Sequence, residues 1–353
     1  MGWSGAGRTC VLAIWARNPL RCESSAGTVA AALRSRARWA ATAALLVVLA
    51  TTACLPASVS PGATHAVTAS WPASFIRGTY GRDTTCQPPG YSDDNGCYFG
   101  TGLSGMKRAG FNTVQAEPYP GALAALSSEG LKAVVWVGGW KKATCVWELS
   151  DSQLTATINS IKGSPAILMY YLADEPLLSS CPSAPAAFAA RTALIHQLDP
   201  GSRTFTLIQD WDGGPVNYAA WKGAVDILGF DLYPCSFKNG IDLSAKPKAR
   251  QPCDFSNVTD ANIRRIEAAR ITGYIGVMQD FQDCFYELPT NNDLRTQMTH
   301  WQQLAGHMAG YLIFSWNFTG NPCAYGSLGQ QLDDVPGNVG ELSYDNAHFF
   351  QST

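Results

Sequence analysis

The sequence has little charge and lacks the short motifs that bind zinc. Of its 353 residues, 15% are charged, and the formal net charge is -2. No large cluster of lysine or arginine follows residue 38, so the basic surface that nucleic-acid binding requires is missing. Neither CxxC nor HExxH occurs anywhere in the chain. The sequence therefore predicts no nucleic-acid partner, no metal and no cofactor.

Long hydrophobic runs are also missing. The most apolar segment, residues 40–54, is shorter than the run of about 18 residues that a membrane-spanning helix needs. It follows a stretch of alternating arginines over residues 34–38, and this order is typical of a signal peptide. We expect residues 1–54 to be a signal region, with Val29 as an alternative start, and the mature protein to be exported.

Cys54 directly follows the apolar segment and offers a second fate for the chain. A cysteine at this point can be acylated and can tether a lipoprotein to the outer face of the membrane. Thr51, however, occupies the position where a lipoprotein signal normally has Leu, Val or Ile. Free secretion and a lipid anchor at Cys54 therefore stay as alternatives, and no other membrane contact is expected.

The chain contains 11 cysteines, and eight of them follow Cys54. An even number of cysteines in an exported protein suits disulfide bonds. We predict that sequence neighbours pair, so that each bond staples one loop. The predicted pairs are Cys86 with Cys97, Cys145 with Cys181, Cys235 with Cys253, and Cys284 with Cys323.

Beyond a Pro-, Ser-, Ala- and Thr-rich linker at 55–72, strand-like and helix-like segments alternate through residues 73–353. One GxGxxG run, at 100–105, lies about 20 residues after the nearest strand, which argues against a dinucleotide site. Eight β/α units predict a single-domain α/β fold, the (β/α)8 TIM barrel. The predicted strands are 75–80, 111–116, 131–137, 166–172, 203–208, 225–231, 274–279 and 310–316, and the predicted helices include 150–162, 184–198, 258–270 and 291–306.

Acidic, amide and aromatic residues gather where the predicted strands end. In a TIM barrel these ends form one rim and hold the active site. Aromatic rings stack on the apolar face of a sugar while carboxylates and amides bind its hydroxyl groups, so the pattern predicts a carbohydrate substrate. The predicted substrate-binding residues are Glu117, Trp140, Asp174, Asp210, Trp211, Tyr233, Gln279, Trp316 and Asn317.

Four segments resemble bacterial glycoside-hydrolase TIM barrels of the broad clan that includes β-galactosidases and cellulases. They are YYLADEP (170–176), DILGFDLYP (226–234), VMQDF (277–281) and GYLIFSWNF (310–318). In that clan the fourth strand ends in Asn-Glu-Pro, and the glutamate is the acid/base. The resemblance therefore implies that Glu175 is the proton donor and that Asp174 takes the place of the asparagine that holds the sugar 2-hydroxyl.

The seventh strand departs from the clan, which has a glutamate nucleophile there. This sequence has Gln279 and Asp280 instead, and LADEP combined with Gln-x-Phe resembles a less characterised branch. We expect Asp280 or Asp231 to be the second catalytic carboxylate, and Gln279 to bind sugar. The adjacent Asp174 and Glu175 also resemble the acidic pair of hexosaminidases that use the substrate's own acetamido group as nucleophile.

These observations predict a secreted enzyme that cleaves a glycosidic bond by carboxylate general acid/base catalysis. Such hydrolysis needs two carboxyl groups about 5 Å apart for retention, or about 6.5–9.5 Å apart for inversion. The alternative is a non-catalytic carbohydrate-binding or cell-surface protein on a decayed glycosidase barrel. The missing glutamate on the seventh strand favours that alternative.

Overall fold

Eight parallel strands close into a barrel in the computed structural model of the protein. The structure describes residues 75–80, 102–236, 251–283, 285–316 and 336–348. Each strand pairs with the next barrel strand along the chain, and the last pairs with the first. The predicted TIM barrel is confirmed. The barrel strands are β1 (Ile76–Tyr80), β2 (Thr113–Ala116), β3 (Lys132–Trp136), β6 (Ile167–Tyr171), β7 (Thr204–Gln209), β8 (Ile227–Asp231), β9 (Tyr274–Gln279) and β10 (Met308–Phe314), and after β3 comes a hairpin of β4 (Trp140–Lys141) and β5 (Val146–Trp147).

Helices follow the barrel strands and surround them. Ser150 caps the third helix in a reciprocal capping box with Gln153, as the sequence predicts. Between β7 and β8 the chain forms a 3-10 turn, Tyr218–Trp221, in place of an α-helix. A π-helical turn, Phe255–Asp260, precedes the fifth helix. The α-helices are α1 (Gly102–Arg108), α2 (Pro120–Ser128), α3 (Asp151–Ile161), α4 (Ala184–Leu198), α5 (Ala261–Ala268), α6 (Asn291–Leu304) and α7 (Pro336–His348).

Along each strand, side chains point alternately into the barrel interior and into the layer between the strands and the helices. Inward side chains such as Met169, Phe205 and Val277 fill the barrel interior. Their sequence neighbours, such as Tyr170 and Met278, pack between the strands and the helices. This alternation decides which residue at each strand end points into the mouth of the barrel.

Two disulfides join loops at the carboxyl ends of the strands. Cys145 bonds Cys181 and Cys235 bonds Cys253, which confirms two of the four predicted pairs and is compatible with an extracellular protein. The other predicted pairs involve Cys86, Cys97, Cys284 and Cys323, which lie outside the described residues, as do 1–72 and Cys54. In the described part of the chain, no helix combines the length and apolar character needed to cross a bilayer.

Candidate active site

The mouth of the barrel at the carboxyl ends of β6, β7 and β8 is lined by acidic residues. On β8, Ile227 belongs to the interior core, so the alternation also directs Asp231 inward. Asp174 and Glu175 follow β6, and Asp210 follows β7. Asp231 interacts electrostatically with all three of these residues, so the sequence-predicted carboxylates of these strands do come together.

Asp231 and Glu175 form the centre of this group. Both residues are buried, and their carboxyl groups are in hydrogen-bonding contact. Burial, followed by the charges of Glu175 and Asp174, raises the pKa of Asp231 well above its usual value. The Oδ1 atom of Asp231 receives no hydrogen bond from any described residue. Two buried carboxylates in contact repel each other, so one proton is retained between them, and the raised pKa places it on Asp231.

Glu175 is held in an unusual backbone conformation beside a cation. Its φ of 45° lies in the left-handed region, which costs a non-glycine residue on the order of 1 kcal/mol or more. Its backbone N–H donates to the carbonyl of Leu207 at 3.1 Å, which ties the turn to β7. The Lys142 Nζ atom lies 3.4 Å from Glu175 Oε2. The ammonium therefore contacts the Glu175 side of the carboxyl pair.

Three tyrosines surround the carboxyl groups: Tyr80 and Tyr171 are buried, and Tyr233 is half-buried. Tyr171 donates its hydroxyl hydrogen to Asp174 Oδ1, which orients that carboxylate. Burial raises the pKa of Tyr80, Tyr171 and Tyr233, and the charge of Asp174 acts in the same direction. All three phenols therefore stay protonated at neutral pH and can donate hydrogen bonds.

Aromatic rings continue this wall around the mouth. Tyr233 packs against Phe281, with 5.2 Å between ring centroids, and Phe281 packs against Phe314 at 4.9 Å. Trp136 meets Tyr171 edge to face at 4.7 Å. Flat apolar rings beside carboxylates and phenols are a suitable lining for a sugar ring.

The two predicted residues of the seventh barrel strand have other partners. Gln279 accepts a hydrogen bond from the backbone of Cys235 at 2.9 Å and donates to the carbonyls of Cys235 and Glu287. Asp280 is the next residue and points outward, where its Oδ1 accepts from Asn338 of α7 at 2.7 Å. Burial raises the pKa of Asp280 to about 7, although the hydrogen bond from Asn338 acts in the opposite direction. Gln279 holds loops in place, and Asp280 lies in the layer between barrel and helices.

The predicted aromatic platforms divide into core and surface residues. Trp140 is 7% exposed and packs on Phe188 of α4, and Trp316 is 5% exposed and packs edge-on against Phe111. Both lie in the outer core. Trp211, which is 61% exposed, follows β7 in the loop beside the mouth.

The two remaining predicted substrate-binding residues are polar: they are Glu117 and Asn317. Glu117 follows β2 at the same end of the barrel and is half-buried. Asn317 lies outside the described residues.

The sequence patterns do not single out Lys142, Tyr80, Tyr171 or Trp136. Tyr80 ends a predicted strand, and Trp136 and Tyr171 each precede the end of one by one position; only the inward register of β1, β3 and β6 singles out these three aromatic residues. Lys142 lies on the β4–β5 hairpin, a feature that the repeating β/α pattern does not contain. The predicted disulfide between Cys145 and Cys181 indicates that the segment around Lys142 lies close to the loop after β6.

Among the described residues, one group of His, Cys, Asp or Glu has ligand atoms close enough to hold an ion, namely Cys235, Cys253 and Asp293. Because its two cysteines are joined in a disulfide, their thiolates are not available as ligands.

Comparison with known proteins supports the fold. No family model matches this chain, and no curated protein matches it by sequence. A GH2 β-galacturonidase from Eisenbergiella tayi, solved bound to galacturonate, is 12% identical with a TM-score of 0.53, over 79% of this chain and 52% of that one. Gas2 in complex with compound 10 is 13% identical with a TM-score of 0.54, over 78% of this chain and 66% of that one. The chain thus spans roughly half to two thirds of these proteins, and at such identities the likeness shows a shared barrel fold.

Proposed function

We propose that this protein is a secreted glycoside hydrolase whose active site is the carboxyl cluster at the mouth of the barrel. The observation that supports this most is the contact between Asp231 and Glu175 inside a wall of tyrosines. It supplies one protonated and one ionised carboxyl group in a largely buried, aromatic-lined site. Glycosidic bond cleavage requires this pair of states.

In this proposal Asp231 donates the proton and Glu175 acts as the ionised carboxylate. This reverses the expectation from the sequence resemblance, which gave Glu175 the acid role. The reason is the surroundings: Asp231 is buried among acidic groups, whereas Glu175 faces the Lys142 ammonium. Asp174, oriented by Tyr171, binds a hydroxyl of the substrate, and Trp211 contacts sugar residues outside the mouth.

The contact between the two carboxyl groups is closer than the spacing of about 5 Å that retaining hydrolysis uses. A sugar that enters between Asp231 and Glu175 breaks their hydrogen bond and separates them. The proton then stays on Asp231, which faces the leaving-group oxygen. Glu175 is left as the carboxylate that attacks the anomeric carbon or activates a water molecule.

The test measures hydrolysis by purified residues 55–353 on two substrate sets: a panel of natural oligosaccharides, and dinitrophenyl glycosides, whose leaving group needs no protonation. We expect Asp231→Asn to lose roughly 100-fold or more in kcat on oligosaccharides and little on dinitrophenyl glycosides. Glu175→Gln should lose activity on both. Asp199→Asn, a carboxyl at the far end of α4 that accepts a hydrogen bond from Tyr170, is the control.

Equal activity of Glu175→Gln and the unmodified protein on both substrate sets would refute the assignment. A second function, carbohydrate binding without cleavage, is favoured by Gln279, which occupies the clan's nucleophile position and is fully engaged by loop backbone. Glycan binding by a protein that is inert on every substrate would select this second function.

A further inference from the structure

The β4–β5 hairpin brings a cation to the carboxyl pair from outside the barrel wall. Lys142 follows β4, and its ammonium reaches Glu175 Oε2 at 3.4 Å. The side chain of Lys142 is 31% exposed, whereas that of Glu175 is 8% exposed. The ion pair therefore lies at the edge of the site and is only partly screened by water.

A disulfide fixes the position of this hairpin. Cys145, in the hairpin turn, bonds Cys181, which is fully buried in the loop that follows Glu175. The Cys181 Sγ atom lies 3.3 Å from the backbone oxygen of Lys142, and the Cys145 Sγ atom lies 3.4 Å from that of Ser180. The disulfide thus joins the two segments that supply the two members of the ion pair.

Aromatic packing supports the hairpin at its other end. Trp140 and Trp147 stack edge to face at 5.0 Å across β4 and β5, and both contact Phe188 of α4. Arg191, also on α4, covers the Trp147 ring at 4.4 Å. With both ends anchored, the turn that holds Lys142 has little freedom to move away from Glu175.

We propose that Lys142 is a positioning residue that keeps Glu175 the ionised member of the Asp231–Glu175 pair, and that the Cys145–Cys181 disulfide keeps Lys142 in place. The inference rests on the proposed function and adds how its site is controlled. Without the ammonium, Glu175 and Asp231 compete for one proton on more equal terms. The acid and the ionised carboxylate are then no longer distinct, and the productive state forms over a narrower pH range.

The pH dependence of this pair reflects every charged or titratable group that faces it. Among the described residues, these groups come from the hairpin and from the ends of four barrel strands, and apart from Lys142 itself they are the same in every variant that is compared. They are Lys142, Tyr80, Tyr171, Asp174, Asp210 and Tyr233.

The first experiment compares pH profiles of kcat/KM for Lys142→Met, Lys142→Arg and the control Lys141→Met. Lys141 is the preceding residue on the same hairpin and is exposed, so it matches the charge lost. We expect Lys142→Met to move the acidic limb upward by about one pH unit, and Lys142→Arg to restore it. Well below the limb, this shift amounts to a roughly tenfold loss of kcat/KM. A profile that does not move in Lys142→Met refutes the proposal, even where hydrolysis itself is established.

The second experiment needs no substrate. Carboxyl carbons of 13C-labelled aspartate and glutamate are titrated by NMR, with Glu175→Gln and Asp231→Asn used to assign the pair. In Lys142→Met the first ionisation of the pair should occur at higher pH and be shared by both carbons. Unchanged titration refutes the role of Lys142 whether or not the barrel is an enzyme.

The third experiment tests the disulfide. Cys145→Ser/Cys181→Ser should reproduce the profile of Lys142→Met, whereas Cys235→Ser/Cys253→Ser, which removes the other described disulfide, should not. Circular dichroism establishes that each variant is folded. A folded Cys145→Ser/Cys181→Ser protein with an unmodified pH profile overturns the part assigned to the disulfide.

Discussion

Asp280 offers a test of whether the buried acid of the seventh barrel strand is structural. Its carboxyl group is fully buried between barrel and helices, and burial raises its pKa from 3.8 to about 7. Between these two values the native protein holds a proton that the unfolded chain has released. The stability of the protein must therefore fall as pH rises through this window.

The size of the effect follows from the two pKa values. Each pH unit between them lowers the free energy of unfolding by 1.36 kcal/mol, which gives ~4 kcal/mol over the whole window. Asp280→Asn removes the titration and keeps an oxygen that accepts the hydrogen bond from Asn338. The variant should gain stability over the unmodified protein as pH rises from 4 to 7.5.

The assay is urea unfolding followed by circular dichroism at several pH values, with the disulfides intact. Other groups titrate in both proteins, so the quantity of interest is the difference between their free energies of unfolding. Asp199→Asn, which removes a half-buried carboxyl at the C-terminal end of α4, is the matched control for the loss of a carboxyl group. A difference for Asp280→Asn that is the same at pH 4.5 and pH 7.5 would refute the reasoning. Hydrolysis should persist in Asp280→Asn, because this side chain faces α7.

Four further substitutions test the remaining assignments. Tyr171→Phe removes the hydroxyl that orients Asp174, and should lower kcat/KM about tenfold without changing the melting temperature by more than a few degrees. Gln279→Glu, which places a glutamate at the end of the seventh barrel strand, should lower the free energy of unfolding by about 2–4 kcal/mol and confer no activity, because the new carboxylate would face two backbone carbonyls. Trp211→Ala should raise KM for long oligosaccharides and leave stability unchanged, whereas Trp316→Ala should cost about 3–5 kcal/mol in urea unfolding.

Most of the barrel could be predicted from the sequence. Its strands are buried on both faces, so they form short, nearly continuous apolar runs that stand out between polar loops. The helix after β7 is the exception: Gly213, Gly214 and Pro215 interrupt that segment, and a 3-10 turn takes its place. The start of the predicted helix 258–270 was wrong by a few residues because a π-helical turn occupies its first part.

The candidate site could be predicted only to the level of strand ends. Side chains of a strand point alternately into and out of the barrel, so a shift of one residue in the assignment exchanges an interior position for an exterior one. Gln279 and Asp280 show this, since one contacts the loops of the mouth and the other contacts α7. Trp316, predicted as a sugar platform, follows the end of β10, where the alternation of the strand no longer applies, and it lies in the outer core.

The spacing of strands explains why a second carboxylate on β8 can serve this site. Only β7 separates β6 from β8, so their backbones lie about 10 Å apart at the mouth. Inward side chains the length of Glu and Asp span that gap and meet, as Glu175 and Asp231 do. A carboxylate on β9 would start one strand further away and would not share a proton with Glu175. In the proposed site, the second acid on β8 therefore contacts Glu175 directly, and the Lys142 ammonium lies against one member of this pair.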